Sequence, residues 1–337
     1  MATAVTLSGG VSNPTSIGVT STVVGSVLSN PTLVQTSGLD LTKVVSVNDA
    51  STGPITLGGG SGSGIVLTAP TAATVIGGTG NNELIASNDV KGTTITTGTG
   101  SGTVIGGAGG QLLGTAASGN GRFNIYGGSG DDTVIAAAGN NTITSGSGNN
   151  IVAAFGGTNA IVSSGTSDTI IAAGGNNTIA LTGSGTVSAA AGNNVIFGGS
   201  TSSMFVGGSG NTTLLGGAGN DTIFAGSSST GTLLASGGAG NDVIFAGKGT
   251  NALVGGDGRD LFVFSSVFGG GKSVIADFKA GTDTLAITGY SGITASSVLN
   301  SATASSAGVV ITLSDKTTIL LSGVTDKSTL NGSILVG

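Results

Sequence analysis

The chain has 337 residues, 67 of them glycine, and contains no cysteine, histidine or tryptophan. Disulfides, thiolate metal sites, the HExxH zinc motif and every imidazole-based catalytic arrangement are therefore excluded. Only 7% of the residues are charged, the nine basic ones are scattered, and the formal net charge is −6, which argues against a nucleic-acid partner.

The first residues, MATAVTLSGG, show neither a basic n-region nor an apolar h-region, so no cleaved secretory signal is expected there. No apolar run reaches the ~18 residues of a membrane helix, and no membrane insertion is expected. Residues 1–76 are rich in Thr, Ser and Val. Strands are predicted over Ile17–Leu28 and Leu39–Val47, and turns at Asn13-Pro14, Asn30-Pro31 and Gly53-Pro54. Gly58–Gly64 reads as a flexible junction. The only charges here are Asp40, Lys43 and Asp49, too few for a catalytic constellation, so the segment reads as a β-rich cap or assembly segment.

Residues 77–263 hold a nine-residue repeat. Its clearest copies are GGSGDDTVI (127–135), GGAGNDTIF (216–224), GGAGNDVIF (237–245) and GGDGRDLFV (255–263). Glycine-rich hexads alternating with β-forming triplets are the signature of a parallel β-roll that binds calcium. Proline is too scarce and glycine too irregular for collagen, and a mean hydropathy of +0.42 argues against disorder. After residue 263 the strict repeat is lost but β character persists, at Ser273–Phe278, Thr284–Thr288, Val309–Leu313 and Thr317–Leu321. The expected fold is all-β: a right-handed parallel β-roll or solenoid (77–263) between β-rich terminal caps (1–76 and 264–337).

From residue 127 the units begin at 127, 136, 145, 154, 163 and 172, then at 189, 198, 207 and 216, then at 237, 246 and 255. A short unit fills 181–188 and a long one 225–236. If two units make one coil, the sixth positions form two columns. One runs Asp132, Asn150, Asp168, Ser203, Asp221, Asp242, Asp260; the other runs Asn141, Asn159, Asn177, Asn194, Thr212, Asn251. Coils stack ~4.8 Å apart. At that spacing two carboxylates repel by roughly 1 kcal/mol in water and about 3–4 kcal/mol at an effective dielectric of 20. The Asp column therefore calls for a hard cation such as calcium, whereas the Asn column can form an amide ladder without one. The plainer alternative is that these Asp and Asn residues only form turns.

Eighth positions should point inward as an aliphatic core: Val134, Ile143, Val152, Ile161, Ile170, Ile179, Ile196, Phe205, Leu214, Ile223, Ile244, Leu253 and Phe262. Ninth positions should then point outward. Ile135, Ile171, Val206, Phe224, Phe245 and Val263 would line one face, and Val162, Phe197, Leu215 and Val254 the other. Their neighbours are mostly Thr, Ala and Ser, which suggests an interaction surface.

The four GGxGxDxUx copies resemble the repeats-in-toxin (RTX, hemolysin-type) family of secreted calcium-binding proteins. So does the closing stretch Gly258-Arg259-Asp260-Leu261-Phe262-Val263-Phe264, followed by Val274-Ile275-Ala276-Asp277-Phe278 and Gly281-Thr282-Asp283-Thr284-Leu285. The resemblance covers about 127–337. It implies an uncleaved C-terminal signal, export by a type I system, an extracellular bacterial location and folding on contact with calcium. It carries Asp132, Asp221, Asp242 and Asp260 over as ligands. Backbone carbonyls of the same turns join them: Gly216, Ala218 and Asn220; Gly237, Ala239 and Asn241; Gly255, Asp257 and Arg259. Asp168 shares the column, and Asp277 and Asp283 stand at the last coil. The chain departs from the pattern at Asn150, at Ser203 and throughout the second column.

No catalytic constellation is visible, so an enzyme is not expected. Low charge and outward apolar residues suit a secreted, calcium-stabilised structural protein whose partner is itself, in a surface layer, filament or biofilm matrix. The alternative is an adhesin module that binds cell-surface polysaccharide, or ice, through seventh-position threonines (Thr133, Thr142, Thr169, Thr178, Thr222), whose ranks Ile151 and Ala160 interrupt.

Overall fold

The computed structural model describes residues 44–47, 55–56, 64–67, 74–81, 83–87, 92–116, 118, 120–226, 231–269 and 271–337. The strand expected over Ile17–Leu28, the three proline turns, the 58–63 part of the junction, and Asp40, Lys43 and Asp49 lie outside them. The fold is nearly all β, a solenoid of parallel coils whose strands alternate between two sheets. Two compact units divide at Ile171 and Ala172.

In the N-terminal unit one sheet contains Phe123–Tyr126, Thr142–Thr144 and Ala160–Ser163, the other Leu112–Gly114, Thr133–Ala136 and Ile151–Ala154. Register is set by the eighth residue: Ile125, Ile143 and Ile161 are partners across one sheet, and Leu113, Val134 and Val152 across the other. The same parallel pairing is present before residue 77, where Val44–Val47 pairs with Gly64–Leu67 and Ile55–Thr56 with Thr74–Ile76.

In the C-terminal unit Met204–Gly207, Thr222–Phe224, Val243–Phe245, Leu261–Ser265 and Thr284–Thr288 stack in one sheet. Asn194–Phe197, Thr212–Ala218, Thr232–Ala239, Thr250–Asp257 and Lys272–Ile275 stack in the other. The last coil is closed by an antiparallel turn-back, in which Gly308–Thr312 pairs with Thr303–Ser305 and Thr318–Ser322. Ending the parallel ladder this way leaves a short, exposed edge strand instead of an open template. A seven-residue helix, Ala295–Ser301, sits in this closing region; Thr294 caps it and exchanges side-chain bonds with Ser297.

Every predicted eighth-position side chain is at most 1% exposed. Burying such a residue stabilises by about 1.5–3 kcal/mol, so one stripe of β-branched, Leu and Phe side chains holds the two thin sheets together. Nine of the ten predicted ninth-position residues point outward, half-buried or exposed, as expected. Val263 does not: it is 7% exposed, buried like its partner Ala286 on the next strand. Phe224 and Phe245 are shielded more than short neighbours would allow because their rings stack on each other, with centroids 4.4 Å apart.

Candidate metal centre

Each nonapeptide turns through its glycine-rich hexad, and the sixth residue ends the turn with its side chain folded back underneath. Asp132, Asp168, Asp221, Asp242, Asp260 and Asp283 are all buried. The backbone arranges them as a ladder. One carboxylate oxygen, Oδ1, accepts the backbone N–H of the sixth residue one coil earlier. In the C-terminal unit Ser203 N donates to Asp221 at 2.8 Å, Asp221 N to Asp242 at 2.7 Å, Asp242 N to Asp260 at 3.0 Å and Asp260 N to Asp283 at 3.1 Å. In the N-terminal unit Gln111 N donates to Asp132 at 2.7 Å, Asp132 N to Asn150 Oδ1 at 2.9 Å and Asn150 N to Asp168 at 2.7 Å.

The second oxygen separates these aspartates. Oδ2 of Asp132, Asp221, Asp242 and Asp260 is buried and accepts no hydrogen bond. A buried carboxylate oxygen without a partner is costly. Burial accordingly pushes Asp221 up to about 7 and Asp132 and Asp242 to about 6. It raises Asp260 as well. Backbone N–H donors offset part of this, and the adjacent carboxylate adds to it, Asp242 acting on Asp221 and Asp260 on Asp242. The four orphan oxygens belong to the four full matches of the motif.

The first glycine of each repeat leaves room for this arrangement. A Cβ on Gly216 would stand 2.5 Å from Asp221 Oδ2, and one on Gly127 2.6 Å from Asp132 Oδ2. Gly237 and Gly255 underlie Asp242 and Asp260 in the same way. The glycines at the turn's second and fourth positions take positive φ, as at Gly217 (106°) and Gly219 (100°), which L side chains resist.

Asp168, Asp277 and Asp283 are placed differently. Asp168 Oδ2 accepts Gly165 N at 2.9 Å and the Ser163 hydroxyl. Asp277 accepts Gly255 N and Gly256 N with separate oxygens, and Asp283 Oδ2 accepts Lys279 N at 2.8 Å. Asp277 and Asp283 thus tie the closing segment onto the last coil, while Lys279 Nζ donates to Gly256 O at 3.0 Å. Of the odd-numbered turn positions, Gly216, Gly237 and Gly255 are buried under their own carboxylates. Ala218 N donates to Gly199 O, and the Asp257 carbonyl accepts Gly240 N. Asn220, Asn241 and Arg259 form an outer ladder, in which Asn241 N donates to Asn220 Oδ1 and Arg259 N to Asn241 Oδ1.

On the opposite edge sixth positions that follow residue 136 carry asparagines bonded to one another. Asn141 Nδ2 donates to Asn159 Oδ1 at 3.2 Å, and Asn177 Nδ2 to Asn194 Oδ1 at 3.1 Å. The same nitrogens also bind carbonyls of their own turns, Ala138 O and Gly174 O. This is the amide ladder expected from the second column.

Two more turn residues escaped the register count. Gln111 ends GGAGGQ (106–111) and stands directly before Asp132 in the ladder. Glu83 is buried beside GGTG (77–80), accepts Gly78 N and Gly80 N, and is pushed up to about 7 by burial. The shared Gly-Gly-x-Gly heads were the available signal for both.

Among the described residues, no three acidic side chains gather as a metal cluster of their own. A cation at the orphan oxygens therefore needs backbone carbonyls too, which suits calcium, a hard ion that takes mixed oxygen ligands in flexible geometry. A family model for the RTX calcium-binding nonapeptide repeat matches four stretches of the chain, residues 124–152, 180–201, 206–229 and 234–262. These stretches contain all four orphan aspartates. No curated protein matches the chain. Repeats of this kind bind calcium, and proteins that carry them are generally secreted.

Proposed function

We propose that this RTX calcium-binding repeat protein is an extracellular bacterial structural protein, stiffened by calcium and self-assembling into a layer, filament or biofilm matrix, and not an enzyme. Its ions are held by Asp132, Asp221, Asp242 and Asp260 together with turn carbonyls. The observation that carries the calcium assignment is the row of buried, partnerless Oδ2 atoms at those residues. Binding would cancel their mutual repulsion and lock successive coils, without supplying any catalytic chemistry.

Assembly is supported by the outward side chains. On one sheet of the C-terminal unit Phe197 is 40% exposed, Leu215 45% and Leu234 49%. The other sheet carries exposed Met204 and the stacked Phe224–Phe245 pair. In the N-terminal unit Ile151 is 47% exposed and replaces a threonine in the seventh-position rank, which favours protein contact over a polysaccharide or ice surface. No helix among the described residues is long and apolar enough to cross a membrane. The test is electron microscopy and light scattering of the purified protein in calcium and in chelator. Ordered assemblies in calcium are expected; a protein that stays monomeric at high concentration in calcium would overturn the assembly reading.

A further inference from the structure

The ladder on the acidic edge includes neutral side chains, among them Gln111, Asn150 and Ser203. Each of these three aims a donor at the fourth-position carbonyl of its own turn. Gln111 Nε2 reaches Gly109 O at 2.7 Å, Asn150 Nδ2 reaches Gly148 O at 3.4 Å, and Ser203 Oγ reaches Thr201 O at 3.3 Å. Asn150 Nδ2 also lies 3.3 Å from Gly146 O, the second-position carbonyl, and 3.1 Å from Asp168 Oδ1 in the next coil. This nitrogen sits among four oxygens, counting Ser145 Oγ at 3.4 Å. At Asp132, Asp221, Asp242 and Asp260 the corresponding side-chain atom is a carboxylate oxygen with no donor at all. Exchanging Asn for Asp swaps two N–H dipoles for negative charge at one point facing the same kind of carbonyls.

We propose that a sixth-position amide in this chain is a built-in substitute for the calcium ion, so that the two units depend on calcium unequally. The proposal rests on the calcium reading of the orphan aspartates. In the N-terminal unit the edge runs Gln111, Asp132, Asn150, Asp168. Only Asp132 is orphaned, and it stands between two amides. Asp168 is satisfied by Asn150, Gly165 and Ser163, so it holds no ion. In the C-terminal unit Asp221, Asp242 and Asp260 are consecutive and all orphaned. That run ends where the Lys279 ammonium takes the second-position carbonyl, Gly256 O. Coil stability in a solenoid is set mainly by each coil and its nearest neighbours. Chelation should therefore loosen the C-terminal coils and spare the amide-closed ones.

The experiment is amide hydrogen exchange on the full chain, in excess calcium and in chelator, paired with calcium stoichiometry by titration calorimetry. On chelation, exchange over 212–263 should rise by about tenfold or more, while 142–162 changes by less than about twofold. Asn150→Asp should bind more calcium than the parent and make protection of 142–162 calcium-dependent. The triple variant Asp221→Asn, Asp242→Asn, Asp260→Asn should bind fewer ions yet keep 212–263 protected in chelator. Equal loss of protection in both units overturns the proposal. So does an Asn150→Asp protein whose 142–162 region stays protected in chelator, or a triple variant unprotected in both buffers. If that triple variant has lost calcium while unprotected, the aspartates remain ligands and only the amide substitution fails. If the parent binds no calcium at all, the calcium reading itself fails.

Discussion

Replacing Gly237 by alanine should disable one calcium ligand by steric displacement alone. A Cβ there would overlap Asp242 Oδ2, and would stand 2.6 Å from its Cγ and 2.7 Å from Gly255 O on the next coil. Ordinary carbon–carbon contacts are ~3.5–4.0 Å, so the carboxylate must retreat by roughly 1 Å. Calcium sites accept deviations of only about 0.2 Å from a 2.3–2.6 Å ligand distance, so the contact is lost. Gly237 is not among the positive-φ glycines, which removes backbone strain as a cause. We expect calcium affinity to fall about tenfold or more, about 1.4 kcal/mol. Overpacking should add a folding cost of about 1–3 kcal/mol. The assay is titration calorimetry on the folded variant in parallel with Gly114→Ala, where the nearest atom, Ile95 O, is 3.9 Å away and φ is not positive. That control should bind calcium like the parent and be neutral or more stable by about 0.4–1 kcal/mol. A folded Gly237→Ala protein with parental affinity would refute the placement of Asp242 over Gly237.

Three further outcomes follow from the same geometry. Burial raises the folded-state values of Asp132, Asp221 and Asp242 from 3.8 to about 6–7, so without calcium the folded protein holds more protons than the unfolded chain between pH ~4 and ~7. Stability in chelator should therefore fall as pH rises through that window, and calcium affinity should fall as pH drops through it, because protons then compete for the same carboxylates; melting curves with and without calcium at pH 5 and pH 8 check both. The double change Phe224→Ser, Phe245→Ser removes a stacked pair worth about 0.5–1.5 kcal/mol beyond its buried area, while leaving Ile223, Ile244, Asp221 and Asp242 in place. It should give a folded, calcium-bound protein that scatters less light, and parental assembly would move the contact to another face. Deleting 264–337 removes Asp283 from Asp260 N, along with the proposed export address. The truncated chain should stay in the producing cell, and its appearance in the medium would exclude a C-terminal signal.

The eighth-position core was legible because large apolar residues recur at one phase of the repeat, and parallel in-register stacking converts that phase directly into burial. The Asn ladder was legible for the same reason. Val263 was not, because it is the last residue of the strict repeat, and beyond it the chain no longer keeps the phase that the register count relied on. The helix Ala295–Ser301 was missed because its capping box uses Ser297, where Glu or Gln is the usual signal. Asp168 looked like its column mates because the register count weighed the sixth position alone; its own nonapeptide, SSGTSDTII, puts Ser163 where the full matches have glycine, and that hydroxyl helps satisfy the carboxylate. Gln111 and Glu83 were hidden because their spacing does not continue the register that starts at 127, although their turn heads are intact.

Thermal unfolding of the full chain in millimolar calcium and in chelator is the most direct test of the central claim, that buried carboxylates on one edge need an ion to fold stably. Each site filled at a hundred times its Kd adds about 2.7 kcal/mol. Several sites should therefore raise the melting temperature by many degrees, and the gain should grow with calcium concentration. Superimposable melts in the two buffers would contradict the account.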